Sequence, residues 1–70
     1  MCLSDVKVGE CVTIKHVHVP GVLGERLMEM GLVPSTKILV VRRSYGLLSI
    51  SLRGYALSIR GKLASDIIVE

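Results

Sequence analysis

Two histidines, His16 and His18, stand one residue apart in the segment CVTIKHVHV. On an extended strand that spacing puts both rings on one face. Two imidazoles make half of a tetrahedral Zn²⁺ or Fe²⁺ site, so at least one further ligand is needed. Cys11 has the opposite strand parity, and Cys2 lies near the chain start, where a mobile end is expected. His16 and His18 are therefore weak metal candidates that read first as surface residues, and no metal or cofactor site is assigned.

A second group is Glu25, Met28 and Glu29, within GERLMEMGLVPST. At helical spacing the three share an outward face. A polarizable thioether beside two carboxylates suits either a passing cation or a protein contact. Two glutamates four residues apart repel mildly on an isolated helix, which favours a cation or a basic partner surface. A third group is Arg42, Arg43, Arg53 and Arg60. Placed at one end of a small barrel, these would meet phosphates. Single-strand binders also stack bases on aromatic rings, and this chain has only Tyr45 and Tyr55. The same shortage disfavours a proline-rich peptide groove. No HExxH, GxSxG, P-loop or dinucleotide fingerprint is present, and nothing in the sequence brings a nucleophile, base and acid together. The expectation is a non-enzyme.

The elements that must position these residues are short. CVTIKHVHV is strand-like, with its alternation broken near Lys15–His16 by a bulge or a strand end. After Pro20–Gly21, the spacing predicts a helix over about 22–30. Its buried stripe is expected to be Leu23, Leu27 and Met30, with Met28 pointing outward. Gly31 supplies a left-handed cap, Leu32 then packs on Leu27, and Pro34 stops the helix. TKILVV reads as a central strand and RRSYG as a loop. LSISLR and YALSIR alternate cleanly about an Arg53–Gly54 hairpin, with Leu48, Ile50, Leu52, Tyr55, Leu57 and Ile59 expected inside. A helical turn near 61–65 and a last short strand, DIIVE, complete the chain.

Seventy residues make one domain, 1–70. Half of the residues are hydrophobic, with no Phe or Trp, so the core is aliphatic and rich in β-branched strand formers. Five short strands and one helix in so short a chain are best accommodated by a mainly β, partly open SH3-like barrel. The net charge of +3 selects no partner class. Two cysteines without a CxxC, no signal-like apolar run and no spanning segment predict a cytoplasmic protein with reduced thiols.

Four segments, in order, resemble one family. LMEMGLVPST (27–36) is similar to the LxxMGLxPGT signature of the ferrous iron transport protein A (FeoA) family. LRGYALSIR (52–60) resembles its RGYxLALR stretch, LSDVKVGE (3–10) its opening, and ASDIIV (64–69) its close. Ser35 stands where that signature carries glycine, which is expected to alter the turn. The resemblance implies an SH3-like accessory module of ferrous iron uptake. It would dock on the cytoplasmic GTPase region of a FeoB-type membrane transporter, reaching the membrane only through that partner. The helix would present Glu25, Met28 and Glu29. The alternative is an Fe- or Zn-responsive sensor using His16 and His18. A nucleic-acid-binding barrel ranks below both, and weak homo-oligomerisation is allowed for.

Overall fold

In a computed structural model covering residues 1–70, the alternating segments become five strands. These are β1 (Cys11–Val17), β2 (Lys37–Ser44), β3 (Leu47–Leu52), β4 (Tyr55–Arg60) and β5 (Ile67–Val69). A 3₁₀ turn (Leu3–Asp5) precedes them, helix α1 (Gly21–Glu29) follows β1, and α2 (Gly61–Ala64) joins β4 to β5. The strands form one antiparallel sheet in the order β4-β3-β2-β1-β5.

The broken alternation in β1 is a bulge. The first half of the strand pairs with β2 (Cys11↔Leu39 to Thr13↔Lys37). The second half pairs with β5, with the register slipping between Ile14 and His16. One extra residue shifts the parity, so Ile14 on one side of the slip and Val17 on the other both pack toward the core. β1 thereby serves as the corner where the sheet bends over itself into an SH3-like barrel.

β2 extends further than its hydrophobic pattern suggested. Arg42, Arg43 and Ser44 continue the ladder against Ser49, Leu48 and Leu47, after a second register slip between Val40 and Arg42. The connecting loop shrinks to Tyr45–Gly46, both at positive φ, as a two-residue hairpin turn requires. Polar residues on an outward face are no obstacle to a strand, which is why RRSYG reads as a loop from composition but not from pairing. Arg43 also donates from Nη2 to the Val6 carbonyl at 2.6 Å, tying β2 to the lead-in segment.

The inward alternation of β3 holds at Leu48, Ile50 and Leu52, all buried. In β4 it holds fully only at Ile59. Leu57 is partly buried, and Tyr55 is 44% exposed at the end of the strand. A Cβ on Gly31 would stand 3.2 Å from the Tyr55 hydroxyl, so the phenol lies over the end of α1 instead of entering the core. The core itself is aliphatic: fourteen buried residues, including Leu3, Val6, Leu32, Ile38, Val40 and Ile67. The chain start belongs to it, because Leu3 is fully buried and Cys2 bridges to Ile68. The expected mobile end at Cys2 is thus pinned. No helix is long and apolar enough to cross a membrane.

Candidate functional site

Helix α1 ends as its sequence dictates. Gly31, at φ +106°, donates to the Met28 carbonyl, and Leu32 donates to the Leu27 carbonyl. These are the paired bonds of a Schellman cap, and Leu27 and Leu32 are both buried beneath it.

The rest of the helix sits differently from its apolar stripe. Only Gly24 and Leu27 are buried. Leu23 is 46% exposed, level with Met28 at 45%, and Met30 is 37% exposed. Neither Leu23 nor Met30 is a core residue. The cause is Gly24: a Cβ there would stand 1.8 Å from the carbonyl oxygen of Val19. The bare glycine lets the helix backbone press against the segment that leads into it. On a wheel of ~100° per residue, the buried direction then falls between Leu27 and Gly24, roughly 60° from the centre of the leucine–methionine stripe. Leu23 and Met30 move to one flank and Met28 to the other. Glu25, Met28 and Glu29 all remain exposed, on the face predicted for them.

The flank bearing Leu23 and Met30 does not simply face water. It forms one wall of a groove of about 640 Å³. The opposite wall is β4, and α2 closes one end with Lys62 and Leu63. Leu57, Ser58, Ile59 and Arg60 line the groove in succession. Side chains of a strand alternate between faces, so four consecutive lining residues bring the edge of β4 into the groove, which also reaches Leu47 of β3 at its Arg60 end. No acidic residue lines it, and Arg60 and Lys62 put two cations at one end. The sequence reading missed this feature. Its one early signal was a glycine in the interior of a helix, a choice that costs about 1 kcal/mol relative to alanine unless close packing requires it.

The other candidates are dispersed. The His16 and His18 rings lie 5.5 Å apart and tilted by 35°, and both residues are exposed. His18 falls just past the end of β1. No third His, Cys, Asp or Glu joins them in a cluster able to hold a metal. Both cysteines are free. Of the four arginines, Arg42, Arg43 and Arg60 lie toward the β2–β3 turn, but Arg53 does not. Arg60 pairs opposite Leu47, beside the β2–β3 turn, whereas Arg53 lies in the β3–β4 turn at the far end of the six-residue β3. Those ends are roughly 17 Å apart. Arg43 is engaged with Val6. Tyr45 is fully exposed at its hairpin tip, with no second aromatic beside it.

Residues 1–70 match the FeoA domain family. The FeoA protein of Chlorobium tepidum superposes with a TM-score of 0.93 at 30% identity, over 99% of this chain and 68% of that one. A FeoA-like protein of Clostridium acetobutylicum gives 0.87 at 29% identity, over 100% of this chain and 84% of that one. The zinc-complexed FeoA of Stenotrophomonas maltophilia is described as a prokaryotic SH3 domain protein and a candidate ferrous iron transport activating factor. It gives 0.87 at 20% identity, over 100% of this chain and 89% of that one, and speaks for the fold alone. No match is found among curated proteins.

Proposed function

The chain belongs to the FeoA family, and from that premise we propose that it is a non-enzymatic accessory of ferrous iron uptake that docks on the cytoplasmic GTPase region of a FeoB-type membrane transporter. The observation that carries this reading is the seating of α1. A nine-residue helix that buries only Gly24 and Leu27 leaves Leu23, Met28 and Met30 open to solvent. With Val22 they make four exposed large apolar residues on or at the end of one short helix, a grouping that suits an interaction site. Met28 offers an adaptable contact, and Glu25 and Glu29 beside it favour a basic patch on the partner. The rest of the molecule is a rigid aliphatic platform for that helix.

The test is binding of the folded chain to the soluble GTPase region of the transporter by isothermal titration. Replacing Glu25 and Met28 together with alanine is expected to weaken binding at least tenfold, about 1.4 kcal/mol. Both side chains are exposed, so the variant keeps its fold. Unchanged affinity would remove the outer helix face from the contact.

The metal-responsive alternative rests on the 5.5 Å approach of the His16 and His18 rings. It has less support, because the chain alone supplies only two ligands where a stable site needs three or four. The nucleic-acid reading is weakened by the separation of Arg53 from Arg60 and by the engagement of Arg43.

A further inference from the structure

Strand β4 pairs only with β3 and forms one border of the sheet. Its two-residue hairpin closes on the pair Leu52↔Tyr55. In an antiparallel ladder, hydrogen-bonded and non-bonded pairs alternate. Tyr55, Leu57 and Ile59 therefore direct their backbone groups to β3. Ala56 and Ser58 direct both N–H and C=O away from the sheet, and Arg60 directs its N–H the same way. None of the turn, loop and cap bonds elsewhere in the chain uses the Ala56 or Ser58 backbone. The free edge opens onto the groove, since Leu57 through Arg60 line it in succession with the Leu23–Met30 flank of α1 opposite. A helix standing across a slot from an unpaired strand edge is a geometry that accepts an added strand.

We propose that this slot binds an extended segment of another protein by strand addition to β4. The segment carries apolar residues at alternate positions and an acidic residue where it passes Arg60 and Lys62. Each part of that description answers a feature of the slot. Unpaired backbone groups at alternate residues demand an extended backbone. The apolar wall of Leu23, Met30 and Leu57 takes every second side chain, by the period of a strand. Two cations with no acid along the groove select a carboxylate at that end. The four lining residues of β4 span roughly 10 Å, so about four residues of the partner are engaged. This inference rests on the docking reading above and specifies a second contact on the inner flank of the same helix.

Two ten-residue peptides of alternating leucine and threonine, with two glutamates at the N-terminal or the C-terminal end, serve as probes. At least one is expected to bind. Its analogue methylated at alternate backbone nitrogens keeps every side chain but loses the bonds to β4, and is expected to bind at least tenfold more weakly. Ser58→Pro removes an outward N–H at an edge position where proline is tolerated, and is expected to cause a similar loss. Arg60→Gln with Lys62→Gln should also weaken binding at least tenfold and flatten its salt dependence. If Ser58→Pro does not fold, the methylated peptide on the unmodified protein decides. Failure of both peptides to bind, indifference to methylation, or a folded Ser58→Pro of unchanged affinity would each overturn the proposal. So would a concentration-dependent dimer abolished by Ser58→Pro, which would make the added strand a second copy of this chain. The same variant measured against the transporter's GTPase region separates the two readings. Equal binding of wild type and Ser58→Pro refutes strand addition and leaves the accessory role standing. Peptide binding without binding to that region does the reverse.

Discussion

The two borders of the sheet are finished differently. At β5, the chain start folds back along the strand: Cys2 bridges to Ile68, and Val69 donates to the Met1 carbonyl at 2.8 Å. Leu3 is then driven fully into the core beneath it. At β4 nothing covers the strand, and the helix that faces it leaves a groove of about 640 Å³ between them. Exposed strand edges are usually blunted, because they invite pairing with other chains. One border here is covered by Met1 and Cys2, while the other is left open beside an apolar helix flank. The difference teaches that the open edge is not forced by the small size of the domain, since the same chain closes its other edge at little cost in length.

The largest effect separating the two borders is in stability. Leu3→Ala removes a plug with no exposure and is expected to cost ~2–5 kcal/mol. Leu23→Ala, on the groove wall, is expected to cost under about 1 kcal/mol, as for other surface positions. Urea denaturation of both variants checks this. Comparable losses would mean that the groove wall is structural, and the contrast between sealed and open borders would fail.

A middle-sized effect concerns how the groove is made. Gly24→Ala places a methyl group on the Val19 carbonyl. Alanine is the better helix former by about 1 kcal/mol, yet the crowding is expected to outweigh that and give a net loss of ~1–3 kcal/mol. The helix must lift or rotate, so Leu23 and Met30 move with respect to β4. Any strand bound in the slot should lose affinity even in the fraction that remains folded. A Gly24→Ala variant as stable as the parent and equally able to bind would show that the seating of α1 does not set the groove.

That glycine also marks where the sequence stopped being legible. The strands could be read because alternation is local, and Leu48, Ile50 and Leu52 face inward as their spacing dictates. The cap of α1 could be read because Gly31, Leu32 and Pro34 each act within a few residues. The seating of the helix could not. A wheel ranks side chains by hydrophobicity and treats Gly24 as empty, whereas here the missing side chain governs the contact. Tyr55 misleads for the same reason: its parity matches Leu57 and Ile59, but its position beside the helix cap draws the ring out of the barrel. Glu25, Met28 and Glu29 are legible as solvent-facing because both the expected and the actual rotation leave them outside. The groove itself is assembled from α1, β4 and α2, elements separated by up to forty residues, and no local pattern announces it.

The smallest effect lies on the sealed side, at Ser35. Pro34 and Ser35 occupy the corners of a tight turn in which Thr36 donates to the Val33 carbonyl at 3.2 Å. Ser35 has φ +77°, the left-handed value that a turn with proline at its first corner requires at its second. Where a glycine is expected from the FeoA signature, a serine adopts the left-handed conformation that glycine takes readily. It is held there from both sides: Ser35 donates to the Ile14 carbonyl at 2.8 Å, and Ile14 donates to the Thr36 carbonyl at 2.9 Å. A side chain in that region costs ~1–2 kcal/mol. Glycine would remove this strain but would also loosen the unfolded chain by ~0.4–1 kcal/mol. Ser35→Gly is therefore expected to stabilise the fold by ~0.5–1 kcal/mol, read as a higher urea midpoint with an unchanged slope. Because the turn contacts the β1 corner and not the β4 edge, peptide affinity at the groove should stay within a factor of two. A variant that gains stability and loses binding would show that the two borders communicate, and the open edge could then no longer be treated as independent of the sealed one.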